Sequence, residues 1–238
     1  MPRETKTALR ERAGRIAEIL ADEYPEATTA LDHRSAFELL VATILAAQCT
    51  DARVNVISPA LFRRWPDAHA MAGATQEEME VAVRSTGFYR NKAKNLIATA
   101  KLLVERHGGQ VPQTMDELTA LSGVARKTAN VVLGSWFRQP VGVVVDTHCQ
   151  RISRRLGLTR HDDPVKIERD LMEVLPTDRW TQFSHGLVFH GRRVCVSRKP
   201  RCEPCKLREL CPSRQDVTEA RRLPGKYDAA RPARKPRP

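Results

Sequence analysis

Hydrophobic residues recur along this chain with the 3.6-residue period of amphipathic helices. Two segments show the period plainly, with apolar residues at Leu96, Ile97, Ala100, Leu103 and Val104 and at Ile167, Leu171, Val174 and Leu175. The strict alternation of a half-buried strand is not found. The pattern predicts an all-α protein of about ten short helices.

Helix start signals support the same prediction. The Ser/Thr-x-x-Glu pattern of a capping box begins at Ser35, Thr75 and Thr114, and Asp163 stands as a cap residue before a proline. The one β-like run, residues 141–145, has five residues and lies between Pro140 and Asp146. We expect this run to be an extended connector rather than part of a sheet.

Positive charge is concentrated near the carboxyl end. The 238 residues carry 40 Lys and Arg against 28 Asp and Glu, a formal net charge of +12, and residues 192–238 alone hold 15 basic against 5 acidic side chains. An acidic partner, nucleic acid first, is indicated. The hydrophobic share of 41% excludes wholesale disorder. Residues 216–238 are predicted to be a disordered basic tail, either available to phosphates or simply solvated.

Targeting features are weak. No run approaches the roughly 18 to 20 apolar residues that a bilayer span needs, and the first residues lack the apolar core of a secretory signal. We therefore expect a cytoplasmic, DNA-associated protein without membrane contact, in which thiols stay reduced. Six cysteines then favour metal binding, catalysis or packing over a disulfide framework.

Four of the cysteines lie within one short window. They follow the pattern C-x6-C-x2-C-x5-C, at Cys195, Cys202, Cys205 and Cys211. Structural zinc usually uses two separated pairs, whereas only the middle two cysteines here form a CxxC pair. An iron-sulfur cubane tolerates uneven spacing because it presents four corners. The spacing favours a cluster and leaves zinc open.

Residues 121–129, LSGVARKTA, predict a tight hairpin between two helices. Such a hairpin turns the free backbone N–H groups of the second helix outward, which makes a phosphate site that does not depend on sequence. The alternative is a glycine turn between two core helices. Both interpretations fit this segment alone.

Lys127 falls in the first turn of that second helix, beside Arg126. The positive end of the helix dipole disfavours an ammonium there and favours a nucleophilic free amine, although lysines at helix starts are usually only solvated. Asp146 is the candidate partner carboxylate, because it follows an apolar segment and lies at the start of the next helix. It can also be a simple N-cap, or serve both purposes.

Five motifs, in order, make this chain resemble endonuclease III, a family of helix-hairpin-helix DNA glycosylases with AP lyase activity. They are LAAQCTD at 45–51, GFYRNKAKN at 87–95, LSGVARKTANVVL at 121–133, VDTH at 145–148 and the four cysteines. The resemblance implies a two-lobed fold: a six-helix barrel at 28–140 that carries the hairpin, and an iron-sulfur domain built from 1–27 and 141–215. A [4Fe-4S] cluster is the implied cofactor.

The resemblance also implies roles for individual residues. Lys127 matches the Schiff-base nucleophile and Asp146 the catalytic aspartate. DNA-binding positions are implied at Gln48 and Phe88, which enter the duplex, and at Gly123, Ala125, Arg126, Thr128 and His148. The implied partner is double-stranded DNA containing damaged pyrimidines or abasic sites, and the implied state is a monomer.

The hairpin departs from the family's usual Leu-Pro-Gly-Val-Gly, since Ser122 replaces proline and Ala125 replaces the second glycine. If Ala125 had a positive φ, its Cβ would cost about 1 to 2 kcal/mol. We therefore expect the hairpin to bind a DNA phosphate more weakly. The competing expectation is that Ala125 lies at negative φ and donates its N–H unchanged.

Two other functions fit parts of the same pattern. A mismatch-specific monofunctional glycosylase shares the cluster and the hairpin but normally lacks lysine at the position of Lys127. A non-catalytic or weakly active iron-sulfur protein that binds DNA needs neither Lys127 nor Asp146. A lyase assay on abasic DNA separates both from the lyase.

Overall fold

The computed structural model describes residues 4–215 and contains only helices, turns and loops there. The α-helices of this region are α1 (Lys6–Glu23), α2 (Ala36–Leu45), α3 (Asp51–Arg64), α4 (Ala68–Ala72), α5 (Gln76–Val83), α6 (Tyr89–His107), α7 (Met115–Thr119), α8 (Arg126–Ser135), α9 (Thr147–Arg155), α10 (Pro164–Val174) and α11 (Trp180–Arg193). Short 3-10 helices lie at Arg84–Thr86, Thr177–Arg179, Arg208–Leu210 and Pro212–Gln215. The predicted all-α class is confirmed.

Most of these helices begin at a side chain that caps the first turn. The complete capping box is found at Thr75, where the backbone N–H of Thr75 also donates to Glu78. Ser35 is an N-cap, but the Glu38 carboxylate accepts from the backbone of Arg34 instead. The expectation of a reciprocal box at Ser35 was therefore wrong, because Arg34 takes up that carboxylate with both its backbone and its guanidinium.

Helices α2 to α8 surround the first of two hydrophobic clusters. Its buried residues run from Leu31 to Leu133 and include fully enclosed side chains such as Leu39, Met79 and Leu103. The helix α6 lies against α4, α5 and α2, and α8 packs on α2 and α7. The long α6 therefore reaches most of this lobe.

The second hydrophobic cluster joins the start of the chain to its later helices. It takes residues 13–27 from α1 and the loop after it, and residues from Val143 to Leu207. Here α1 packs on α11 and α10, and α11 packs on α9. Arg12 reinforces the contact by donating from Nη1 to the carbonyls of Leu156 (2.6 Å) and Leu210 (3.1 Å).

The connector at 141–145 belongs to no helix or strand, as the sequence predicts, and it bends at Gly142. Val143 is buried, and the N–H of Val144 donates to Ser184 Oγ at 3.0 Å. The connector thereby leads the chain from α8 into the start of α9. The predicted tail, 216–238, lies outside the described residues. Within residues 4–215, no helix combines the length and the apolar character needed to span a membrane.

Candidate active site

Lys127 is the second residue of α8 and is exposed. The helix begins at Ala125, and no side chain caps its first turn. The N–H groups of the first turn of a helix have no partner within the helix itself. The start of α8 thus presents unpaired donors and an exposed amine on the same surface.

The hairpin before α8 turns at Gly123, which has φ +74°. A Cβ at that position would lie 2.6 Å from Asn95 Nδ2, so both the backbone conformation and the close approach of α6 favour glycine. Ala125 has φ −89° and ψ 166°, an extended conformation open to any residue. The expected penalty at Ala125 was wrong, because the left-handed turn is completed two residues earlier.

Asp146 is the N-cap of α9, and its Oδ1 accepts a hydrogen bond of 2.7 Å from the N–H of Cys149. Its side chain is half-buried. The capping bond fixes the carboxylate at the carboxyl end of the connector. The second carboxylate oxygen has the freedom to face another group.

The charges of Lys127 and Asp146 both influence the same buried residue, Cys149. The thiol of Cys149 is fully buried, and burial raises its pKa to about 12. The negative charge of Asp146 contributes to the increase, whereas the positive charge of Lys127 opposes it. Both charged groups therefore lie close enough to Cys149 to act on it, although they are 19 residues apart in the sequence.

His148 is half-buried in the first turn of α9, next to Asp146. Burial lowers its pKa; Asp146 opposes the decrease, while Arg151 and Arg192 add to it. Its Nδ1 lies 3.3 Å from Nη2 of Arg151. A neutral imidazole at this place can donate or accept a hydrogen bond.

Gln48 and Phe88 share an uncommon backbone conformation. Gln48 lies between α2 and α3 with φ 54°, and Phe88 precedes α6 with φ 47°. Both side chains are exposed, Phe88 to 63%. A left-handed conformation of a bulky residue is unfavourable and often marks a functional site. The structure thus presents two strained, outward-facing side chains on neighbouring loops.

Arg126 and Thr128 differ in what their side chains can reach. The guanidinium of Arg126 donates to Glu168 through Nε and through Nη2, each at 3.0 Å. The side chain of Arg126 is thereby held on α10, so its remaining contribution to a phosphate site is its backbone N–H. Thr128 is half-buried one residue after Lys127.

The four cysteines of the carboxyl-terminal window lie half-buried after α11. Arg155 stands between two of them: its Nη1 donates to Cys195 Sγ at 3.3 Å, and its carbonyl accepts from Cys211 Sγ at 3.5 Å. Cys205 Sγ lies 3.6 Å from Nε2 of His190. Cys49 packs against the first hydrophobic cluster, whereas Cys149 is buried in the second, against which Cys195, Cys205 and Cys211 also pack.

The chemistry of these thiols fits an iron-sulfur cluster. Burial raises the pKa of Cys202, Cys205 and Cys211, with Cys205 at about 11, and neighbouring cysteines of the set add to each increase. If all four bound as thiolates, a cationic centre would be needed to offset their charge. Within residues 4–215, no three or more His, Cys, Asp or Glu side chains are grouped closely enough to hold a metal ion. A cubane, which takes one cysteine at each of four corners, suits the donor set.

Comparison with known proteins identifies the family. The model of the HhH-GPD superfamily of base excision DNA repair proteins matches residues 41–177. Endonuclease III of Synechocystis sp. is 54% identical over 206 residues, which cover 87% of this chain and 94% of that protein. Endonuclease III of Bacillus subtilis is 43% identical, over 81% of this chain and 88% of its own length. The chain belongs to the endonuclease III family.

Solved structures of the endonuclease III family share the fold. A non-covalent endonuclease III–DNA complex aligns with a TM-score of 0.81 at 39% identity, over 90% of this chain and 99% of that one. A trapped endonuclease III–DNA covalent intermediate aligns with the same TM-score at 40% identity and the same coverage. A thermostable thymine-DNA glycosylase at 20% identity, with a TM-score of 0.75, shares the fold alone. The expected helix-hairpin-helix glycosylase fold is confirmed.

Two buried charged residues beside the endonuclease III site were missed in the sequence. Lys92 and Glu168 are 5% and 6% exposed. Lys92 shares the apolar stripe of α6 with Leu96 and Leu103, and a lysine on such a stripe is a signal that could have revealed it. For Glu168 we find no comparable signal, because its partner Arg126 is 42 residues away.

Proposed function

We propose that this endonuclease III family member removes oxidised pyrimidines from duplex DNA and cleaves the resulting abasic site through Lys127. The observation that supports the proposal is the exposed amine of Lys127 in the first turn of a helix that no side chain caps, together with the carboxylate of Asp146 at the N-cap of the next helix. An exposed amine with a nearby carboxylate is suited to Schiff-base chemistry. A trapped covalent intermediate with DNA is known for a relative at 40% identity.

The reaction begins with the free amine of Lys127. Its nitrogen attacks C1′ of the flipped nucleotide, the bond from C1′ to the base breaks, and the base departs with its electron pair. After the sugar ring opens, the nitrogen forms a protonated Schiff base with C1′. This cation makes the C2′ proton acidic, so its removal expels the 3′ phosphate by β-elimination. Water then releases the lysine.

Asp146 supports these steps as an anion of fixed position. Its Oδ1 is held by the N–H of Cys149, which leaves the other oxygen to face the sugar. A carboxylate there stabilises the positive charge that develops at C1′ and accepts or returns protons. Capping and catalysis thus use different oxygens of one side chain.

The DNA would be held by contacts that do not depend on sequence. The first-turn N–H groups of Arg126, Lys127 and Thr128 can bind a phosphate, and Gly123 allows the hairpin to approach the backbone. Gln48 and Phe88 would enter the duplex where the damaged base leaves. Damage lowers the cost of unstacking, a few kcal/mol for an intact base, so this cost helps to select lesions.

Several further features belong to the proposal. The proposed domains are residues 28–140, and 1–27 with 141–215; two hydrophobic clusters support the division, with buried residues at 31–133 and at 13–27 with 143–207. His148 would contact DNA beside Asp146, and the active form would be a monomer.

Cys195, Cys202, Cys205 and Cys211 would hold the [4Fe-4S] cluster, which when bound supplies a rigid, charged scaffold for the loop. Arg155 would fix that loop by donating to the carbonyls of Val196 and Ser197.

Borohydride trapping tests the proposed function. On duplex DNA with one abasic site, the parent chain is expected to be reduced onto the DNA and to cut the strand. Lys127→Ala should abolish both, whereas Lys101→Ala, an exposed lysine of α6, should change neither. Asp146→Asn should bind DNA but cleave it poorly. Full strand cleavage by Lys127→Ala would overturn the assignment, and binding without any lyase activity in the parent would favour the non-catalytic alternative.

A further inference from the structure

Lys92 connects the two loops that carry Gln48 and Phe88. Its ammonium donates to the carbonyl of Leu45 and to the carbonyl of Thr86, each at 2.8 Å. Leu45 is the last residue of α2, three residues before Gln48, and Thr86 is two residues before Phe88. One side chain therefore bonds to the backbone just upstream of each strained residue.

The two carbonyls explain why a charge is tolerated at this buried place. Carbonyls at the end of a helix have no partner within it and lie at the negative end of the helix dipole. The ammonium of Lys92 supplies both a donor and a positive charge to the end of α2. Burial lowers the pKa of Lys92, while neighbouring Cys49 opposes that decrease. An apolar residue here would leave both carbonyls without this donor.

The left-handed backbone conformations of Gln48 and Phe88 need contacts from outside the two loops to maintain them. Left-handed backbone at residues other than glycine persists only where surrounding contacts enforce it. Gln48 has no part in a helix, and no side chain caps the first turn of α6 at Phe88. Within residues 4–215, the two hydrogen bonds from Lys92 connect one loop to the other.

We propose that Lys92 is a positioning residue that fixes the two loops relative to each other, so that Gln48 and Phe88 enter the duplex together. This role rests on the proposed function. Lys92 touches neither the sugar nor the base in this scheme and acts through the backbone of the two loops. Its contribution is therefore to the opening of the base pair, before Lys127 reacts.

Helix α6, which carries Lys92, also contacts the hairpin before α8. Asn95 packs beside Gly123, and Thr99 Oγ1 donates to the carbonyl of Ser122 at 2.6 Å. Lys92, Asn95 and Thr99 follow the spacing i, i+3 and i+7, which places them along one face of α6. One rigid helix thus sets the distance from the phosphate site to both inserted side chains.

A comparison of two duplexes tests this role. Both contain the same oxidised pyrimidine, thymine glycol; in one it faces adenine, and in the other it faces a tetrahydrofuran abasic analogue, so no base pair has to be opened. Lys92→Met removes the charge and the donors but keeps most of the stem. We expect it to lower kcat/KM about 10-fold to 100-fold on the adenine duplex, since displaced binding groups cost up to about that much. The abasic-analogue duplex should lose much less.

Matched variants complete the test. Lys101→Met makes the same change at an exposed position of α6 and should affect neither duplex. Lys92→Arg keeps the charge and the donors and should retain the parent's ratio between the two duplexes. If Lys92→Met does not fold, as judged by thermal unfolding, Lys92→Gln is measured in its place and should show the same unequal loss.

The outcomes separate this role from the proposed function. Equal losses on both duplexes, or no loss, in a folded variant would overturn the positioning role while leaving the glycosylase intact. A parent chain that neither excises the base nor is trapped by borohydride would overturn the proposed function, and the role of Lys92 with it.

Discussion

Arg126 and Glu168 form two parallel hydrogen bonds between α8 and α10, and Asn130 Nδ2 donates to the same carboxylate at 2.9 Å. The carboxylate side of this pair is 8% exposed and the guanidinium side 46%. Arg126, the residue next to Lys127, thus joins the first lobe to the second.

Replacing Glu168 should therefore destabilise the protein. Glu168→Ala leaves Arg126 and Asn130 without their acceptor, and we expect a loss of about 1.5 to 3 kcal/mol in the free energy of unfolding. Glu173→Ala removes a solvent-exposed ion pair with Lys6 from the same helix and should destabilise the protein clearly less. Urea denaturation measures both. Equal losses would show that the pair with Arg126 is worth no more than a surface pair.

Ala125 gives a prediction that links stability to DNA binding. Ala125→Ser would supply the missing cap of α8 and should stabilise the protein by about 1 kcal/mol. The new hydroxyl accepts from a first-turn N–H, so binding to an abasic-analogue duplex should weaken. Ala125→Gly should leave affinity unchanged, because φ is already −89°. Fluorescence anisotropy at fixed salt measures affinity, and tighter binding by Ala125→Gly would contradict this account of the hairpin.

The metal content of the anaerobically purified protein tests the cluster. We expect iron and acid-labile sulfide in the parent, and Cys202→Ala should lose both together with the order of the loop. Cys49→Ala, which changes a half-buried thiol of the first lobe, should keep the parent's iron content. Zinc without sulfide in the parent would be incompatible with the proposed cluster.

Acid should destabilise the protein through His185. Burial lowers the pKa of His185 to about 4, although Asp146 opposes the decrease, whereas an unfolded histidine titrates near 6.5. The unfolded state then binds the extra proton, so stability falls as the pH drops from about 6.5 towards 4, by on the order of 3 kcal/mol. His185→Gln should flatten this dependence in denaturation series, and the exposed His69→Gln should not. An unchanged slope in His185→Gln would rule out this residue as the cause.

The sequence predicted what depends on local pattern. The periodicity at Leu96 to Val104 places the buried face of α6 correctly, and the LSGVARKTA segment places a hairpin before Lys127. Such features follow from residues within one or two turns of each other. The family itself followed from five motifs in order.

What the sequence did not predict depends on distant contacts or on turn closure. The side chain of Arg126 is turned away by a glutamate 42 residues later, and the conformation of Ala125 is set by how the chain turns at Gly123. The partners of Lys92 are 47 and 6 residues away. Periodicity tells which face is buried but not which carbonyl a long polar side chain will reach.

The place of α1 has a consequence for how the protein is made. This helix is synthesised before α2 to α8, yet it packs against α10 and α11, and the bond from Arg12 to Leu156 spans 144 residues. At about 5 to 20 residues per second, α1 waits roughly 7 to 30 s for that partner. Helices α2 to α8 can assemble during the delay. The lobe completed last is therefore one that contains a helix synthesised before the other lobe.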